Sequence, residues 1–414
     1  MEMKEVFETY ESNVRSYCRS FPSVFAKAKG SIITDVDGNE YIDFFCGAGA
    51  VNYGHNNDYI KAKLIDYLSN DGILHSLDMM TNVKADFIEY FEEKVLKPRG
   101  LDYKIMFPAP TGTNAIEAAL KLARKVKKRT NVWALMGCFH GMTLGALSLT
   151  TDRTDRNGAG VPLDYVTHIP APYMFENFDT INYMETLLTD DHSGIDKPAA
   201  LIIETVQAEG GVYVFDDKWL QDVRKLCDRH DILLIIDDIQ VGCARTGTFF
   251  SFERAGIKPD MLIMSKSIGG YGLPFALTLF SPELDIWLPG EHNGTFRGNQ
   301  LAVVAAKAGL EFMLENNIEA EAKRKEQIIR DYLEKNVARD GIEIRGIGCI
   351  FGIDVGSGEK ASAISHACFK RGLIIELAGR DNCVVKPMPA LTIPDETLLK
   401  GLEIIKEAVD EVIG

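Results

Sequence analysis

Lys266 stands where the apolar run DMLIMSK (260–266) meets the glycine-rich loop SIGGYGLP (267–274). A lysine partly desolvated at such an edge has a lowered pKa, and its free amine can condense with a carbonyl to a Schiff base. Gly269, Gly270 and Gly272 would let the backbone come close to a bound ligand. The plainer reading is a solvated lysine beside a loop. Asp237 and Asp238 end the run DILLIIDDI (231–239). A buried carboxylate there could pair with a protonated ring nitrogen, whereas two solvated acids at a strand end would do nothing. In FPAPTGTNAIEAALKLARKV (107–126), Thr111 is a plausible N-cap, so that the N–H groups of Gly112, Thr113 and Asn114 converge on one spot. A helix start of small residues is a ready phosphate site, although an ordinary capped helix has the same sequence. Phe139 and His140, in CFHGMTLGALS, could stack on a planar cofactor, or be a core ring and a surface imidazole.

Other chemistries lack their residues. GAGAVN (47–52) puts Asn52 where a dinucleotide loop needs its third glycine. The acidic strand end at 237–238 resembles the Mg²⁺ strand of a nucleotidase, but GxxxxGK[ST] occurs nowhere in the chain. The eight histidines form no HxxxH or HExxH pattern, so no metal is expected. The eight cysteines form no CxxC pair, and their spread reads as reduced thiols of a cytoplasmic protein. With 45 basic against 60 acidic residues, the net charge of −15 disfavours nucleic acid and anionic membrane surfaces as partners. No apolar run is long enough for a membrane span, and the charged start MEMKEVFETYE does not read as a secretory signal.

The elements that must position these residues follow from the apolar pattern. YKIMF, NVWALM, AALIIETV, DILLIIDDI and DMLIMSK are continuous rather than alternating, and each is followed by a helical pattern. This predicts an α/β fold with a mostly parallel sheet covered on both faces. Ligands of such sheets sit beyond the carboxyl ends of the strands, where the candidates above all lie. GSIITDVDGNEYIDF (30–44) predicts a hairpin turning at Asp37-Gly38. LEFMLENNIEAEAKRKEQIIRDYLEKN (310–336) predicts one long amphipathic helix, followed by short strands and a final helix. The expected organisation is a large domain over 71–310 and a small α+β domain built from 1–70 and 311–414.

Taken jointly, a phosphate loop, an aromatic lid, an acid and a lysine on successive strands are far more specific than any one of them. The stretches DFFCGAGAVNYGH, PTGTNAIEAALKLAR, FHGMTLGALS, ETVQAEGG, LLIIDDIQVGCARTGTFFSFE, PDMLIMSKSIGGYGLP and HNGTFRGN resemble the class III (omega) aminotransferases of pyridoxal-phosphate (PLP) fold type I. The C-terminal PALTI extends the resemblance. Within that class, YGHNN, HSLDM, DDIQVGC and LDIWLPGEHNGTFRGN resemble the diaminobutyrate–2-oxoglutarate transaminases of the ectoine-pathway type.

The resemblance implies a seven-stranded large domain, PLP as cofactor, amino-acid substrates and a homodimer or higher oligomer with shared sites. It implies Lys266 as the Schiff-base lysine and Asp237 as partner of the pyridine nitrogen, which keeps the ring an electron sink. Gly112 and Thr113 match the phosphate cup, Phe139 the stacking ring with His140 beside it, and Gln240 the contact to the ring hydroxyl. Glu204 falls among the cofactor-binding positions. Thr295 matches the threonine that reaches the phosphate of a neighbouring subunit. Glu209 matches the class's movable gate acid, whose partner in many relatives is an arginine just before LTI. Here CVVKPMPALTI offers Lys386, which lacks the bidentate fork, so the grip on glutamate must be built differently. Lys386, or else Arg297, is expected to meet a substrate carboxylate, and the small stretch around Gly49 to leave room for the distal end of diaminobutyrate. The implied reaction exchanges the terminal amine between L-2,4-diaminobutyrate/L-aspartate 4-semialdehyde and glutamate/2-oxoglutarate. Ornithine, GABA, a carrier-linked amine or an aminomutase reaction are the alternatives.

Overall fold

The computed structural model describes residues 3–414. At its centre a seven-stranded sheet runs in the spatial order Lys104–Met106, Leu277–Phe280, Met261–Met264, Leu233–Asp237, Ala200–Ile203, Val132–Leu135, Val166–Ile169. The strand Leu277–Phe280 is antiparallel to both its neighbours, while the pairings from Met261–Met264 to Val166–Ile169 are parallel. The five apolar runs form five of these strands. Their continuity has a direct cause, because alternate residues enter different cores. Trp133, Leu201, Ile203, Leu234, Ile236 and Leu262 face one hydrophobic cluster. Ala134, Ile202, Leu233, Ile235, Met261 and Ile263 face another. A strand buried on both faces has no position at which a polar residue is cheap.

Helix Gly112–Lys127 lies over the second cluster, with Ala115, Ile116, Ala119, Leu120 and Leu122 buried along one stripe. Thr111 adopts extended backbone, and its N–H and hydroxyl both donate to Asn114 Oδ1, so the helix is capped where the sequence predicts.

Near the N-terminus, strands Phe25–Lys29, Ile32–Asp35 and Glu40–Asp43 form an antiparallel meander. Gly38 supplies the positive φ of +88° in the predicted turn, and Asp35 Oδ1 accepts from the N–H groups of Asp37 and Asn39. The C-terminal strand Leu373–Ile374 adds to this sheet, parallel to Glu40–Asp43. A separate four-stranded sheet is built from Glu343–Ile347, Ile350–Asp354, Val384–Lys386 and Glu376–Ala378.

The long helix expected over 310–336 is two helices, Gln300–Glu315 and Ile318–Asn336. The first also starts ten residues earlier than the amphipathic pattern suggested. Asn317 takes a left-handed conformation with φ +48° between them, a role that asparagine fills more readily than other non-glycine residues. Among the described residues, no helix is long and apolar enough to cross a membrane.

Candidate active site

The parallel strands end on a cavity of about 450 Å³. Gly112 and Thr113, Phe139 and His140, Glu204, Asp237 and Gln240, and Lys266 all line it. Each follows or ends a different strand of the central sheet, so five loops far apart in sequence converge at one edge.

The two neighbouring acids have opposite fates. Asp237 is the last residue of its strand and receives a 2.7 Å hydrogen bond between Oδ2 and His140 Nδ1. Its other oxygen accepts from the N–H of Ile239. Asp238 points away, is buried, and accepts from the Ser251 N–H at 3.1 Å. Burial pushes its carboxyl up to about 7. Only Asp237 lines the cavity. His140, a possible surface residue from sequence, is instead buried, held by its N–H on Thr150 Oγ1.

Lys266 sits at φ +52°, which costs energy for a side-chain-bearing residue and recurs at functional sites. The turn Lys266–Gly269 holds it there, with Ser265 Oγ donating to the Phe275 carbonyl at 2.8 Å. Burial pulls the lysine's pKa down, an effect partly opposed by Glu209. This is the condition for a neutral, nucleophilic amine. Glu204 is buried beside Asp237, and desolvation with that neighbour raises its carboxyl well above the ordinary range. It accepts a long 3.4 Å hydrogen bond from the Phe139 N–H.

Glu209 and Gln240 line the cavity, and Lys386 is buried behind Glu209. Lys386 Nζ donates to Glu209 Oε1 at 2.7 Å, and Gln240 Nε2 donates to the same oxygen at 2.9 Å. Burial alone would raise the Glu209 carboxyl, but Lys386 and Lys266 bring it below the usual range. Lys386 is fully buried, and its two carboxylate neighbours outweigh desolvation and push its pKa up. One of those neighbours, Glu376, was missed from sequence. It stands opposite Lys386 in the register of two antiparallel strands, with an ion-pair distance of 3.0 Å. Its only sequence signal is the apolar-acid-apolar pattern of IIELA followed by a tight loop.

Gly49 lies behind Gln240, where a Cβ would meet the Gln240 carbonyl oxygen at 3.3 Å. Two further residues lie outside this chain's cavity, and for Thr295, expected to reach a neighbouring subunit's site, that position is the expected one. Thr295 is exposed on the turn Thr295–Gly298, outside the cavity lining. The Arg297 guanidinium pairs with Asp78 and donates to the His292 carbonyl. Within one chain, therefore, Arg297 is not turned toward the cavity, because a nearer acid holds it.

The sequence profile of the class-III aminotransferases matches residues 15–409. The chain belongs to this family. It is 53% identical over 99% of its length to a diaminobutyrate–2-oxoglutarate transaminase of Sporosarcina pasteurii, 97% of which is covered. It is 52% identical over 98% of its length to a transaminase of the same description from Nocardia farcinica, 94% of which is covered. Among solved structures, an ornithine aminotransferase from Toxoplasma gondii superposes with a TM-score of 0.87 at 26% identity, covering 99% of this chain and 93% of that one.

Aminotransferases of this class use pyridoxal phosphate, and the residues present fit it. An amine, a carboxylate for a ring nitrogen, a phenyl ring and the first turn of a capped helix face one cavity. Gln240 Oε1 is buried there without a protein partner, as expected of a side chain whose partner belongs to a cofactor.

Proposed function

We propose that this aminotransferase exchanges the terminal amine between L-2,4-diaminobutyrate/L-aspartate 4-semialdehyde and glutamate/2-oxoglutarate. The observation that carries the reading is Glu209, a carboxylate shared between the cavity and a buried lysine, with its side chain still 30% exposed. An enzyme that takes its two substrates in turn must receive glutamate's α-carboxylate in one half-reaction and none at that place in the other. Glu209 can screen the Lys386 charge when diaminobutyrate is bound and release it to glutamate's carboxylate. Full-length similarity to diaminobutyrate transaminases supports the substrate pair.

When bound, pyridoxal phosphate supplies an electron sink that acidifies the carbon bearing the amine. The chain's own residues do the rest. Gly112 and Thr113 would hold the phosphate, Phe139 would cover one ring face, and Gln240 would orient the ring. Asp237, oriented by His140, would hold a proton on the ring nitrogen. Lys266 Nζ would take the proton from C4 of diaminobutyrate, or from Cα of glutamate, and return it to the carbon on the other side of the amine nitrogen, a 1,3-shift. A buried amine of lowered pKa is suited to both accepting and releasing that proton.

We further propose a large body of 71–310 and a small one of 1–70 with 311–414, which the mixed N- and C-terminal sheet supports. We also propose a homodimer in which Thr295 reaches the partner's phosphate. An exposed apolar strip of Ile73, Leu74, Leu77, Met79, Met80 and Phe296 near that turn supports an interface. A cytoplasmic, ectoine-type pathway role is consistent with eight unpaired cysteines and the family resemblance.

Borohydride treatment of the purified holoenzyme should fix the cofactor on Lys266, as read by peptide mapping. Lys266→Ala should fold yet lose essentially all turnover. Cofactor mapped to another lysine would overturn the assignment. Specificity constants decide the substrate: a much higher value for ornithine, GABA or β-alanine than for diaminobutyrate would reject the pair. Absence of net transfer to 2-oxoglutarate would indicate a mutase.

A further inference from the structure

Lys386 raises a physical problem that the gate alone does not solve. Its ammonium is fully buried, and a buried ammonium without a counter-charge loses its proton or moves. Each time Glu209 swings away, the lysine would lose its 2.7 Å partner before a substrate carboxylate arrives. A planar guanidinium would stay charged in that interval, but an amine need not.

A second carboxylate is already in place. Glu376 sits opposite Lys386 in the antiparallel pair formed by Glu376–Ala378 and Val384–Lys386, with Oε2 at 3.0 Å from Nζ. Unlike Glu209, it lies within a strand, is buried, and does not line the cavity. Its other oxygen, Oε1, accepts a 2.9 Å hydrogen bond from the hydroxyl of Tyr17, on the short helix Tyr17–Ser20. Tyr17 in turn packs on Phe45 with ring centroids 4.9 Å apart. One ammonium is thus flanked by a carboxylate at the cavity and a carboxylate fixed in a strand by a second hydrogen bond.

We propose that Glu376, held by Tyr17, is the standing counter-ion of Lys386, a positioning residue that keeps the ammonium charged and in place while Glu209 opens for glutamate. The proposal rests on the gate reading above and adds the residue that makes a lysine usable at that position. It also explains why a lysine, with three donors and no fixed fork, suffices: a carboxylate on the turn after Val206–Gln207 and a carboxylate on the neighbouring strand flank it, and a donor remains for the substrate. The charged groups facing Lys386 are Glu209 and Glu376, with Lys266 farther across the cavity. Removing Glu376 therefore leaves the lysine dependent on Glu209, so the gate should either stay shut or open onto a neutral amine. Both outcomes weaken glutamate and spare diaminobutyrate, whose half-reaction keeps Glu209 on Lys386.

The test is single-turnover kinetics of the two half-reactions, glutamate with the pyridoxal form and diaminobutyrate with the same form, for wild type, Glu376→Gln, Glu376→Asp and Tyr17→Phe. Glu376→Gln should lose roughly tenfold or more in the glutamate specificity constant relative to the diaminobutyrate one. Taken relative to wild type at each pH, that loss should deepen as pH is raised from about 7 to about 9, because without Glu376 the lysine holds its proton less firmly. Glu376→Asp should recover part of the loss, and Tyr17→Phe, which removes one hydroxyl from a half-exposed ring, should shift the same ratio by a few-fold. Equal losses in both half-reactions, or a pH-independent loss, would overturn the counter-ion role. If wild type itself rejects diaminobutyrate, the substrate reading fails separately, and the pH dependence of glutamate in Glu376→Gln still decides the role of Glu376.

Discussion

Asp237 and Asp238 differ by one position and by everything that surrounds them. At a strand end, successive side chains leave on opposite faces, so one acid meets His140 in the cavity and the other meets the Ser251 N–H in the core. Asp237→Asn should keep the cofactor bound and slow proton transfer by several orders of magnitude, read by stopped-flow absorbance. Asp238→Asn should cost stability and leave the chemistry largely intact. The reverse result would exchange their roles. Lys386→Met should weaken glutamate more than diaminobutyrate in the half-reactions, and equal losses would reject Lys386 as the carboxylate contact. Lys266 yields a pH prediction. Burial lowers its pKa, so the neutral amine appears at lower pH than for a solvated lysine. Reconstitution of the cofactor-free enzyme should quicken with rising pH and level off below about 10, the ordinary lysine range. A Lys386→Met control removes a neighbouring positive charge, so the plateau should move to higher pH.

Elements position these residues through close backbone approaches that side chains do not mediate. Gly270 ends the turn that carries Lys266 at φ +71°, and a Cβ there would stand 2.1 Å from the Ala305 carbonyl oxygen of helix Gln300–Glu315. Gly270→Ala should therefore destabilise the protein by about 3 kcal/mol, combining backbone strain with overpacking against a rigid helix. Urea unfolding would measure this, and an unchanged midpoint would show that the turn is free to move. At this scale much was legible. Continuous apolar runs identify central strands because both faces are buried, and Asp37-Gly38 identifies a turn because glycine accepts positive φ. The break at Asn317 was not, since the apolar stripe continues on both sides of it and only the left-handed backbone at Asn317 separates two helices. Nor did the edge strand Val166–Ile169 stand out, being half exposed and carrying His168 and Thr167.

For the whole molecule, the proposed subunit interface would be the next level of organisation. The exposed strip from Ile73 to Met80 and Phe296 is larger than scattered surface hydrophobes require, and it adjoins Thr295. Mixing Thr295→Val with Lys266→Ala subunits should restore part of the activity, because one site of a mixed dimer then carries neither lesion. A monomer with full activity in dilute sedimentation would contradict a shared site. The large negative charge of −15 should make such assembly tighten with added salt, since like-charged subunits repel less when screened.

The sequence alone determined the class of chemistry. Lys266, the acid pair Asp237-Asp238, Phe139 and the Thr111–Asn114 helix start carry local signals, and their joint order carries the family resemblance, because a glycine-rich turn, a strand end and a cap are short-range events readable within a dozen residues. It also determined five of the seven strands of the sheet, since burial on two faces forces uninterrupted apolar runs. Only the tertiary structure decided which of two adjacent acids faces the cavity, that Arg297 is taken by Asp78, and that Lys386 is flanked by Glu209 and Glu376. Those are contacts between residues as far as 219 positions apart. No local propensity encodes them, because the energy of a buried charge depends on what the rest of the chain brings beside it.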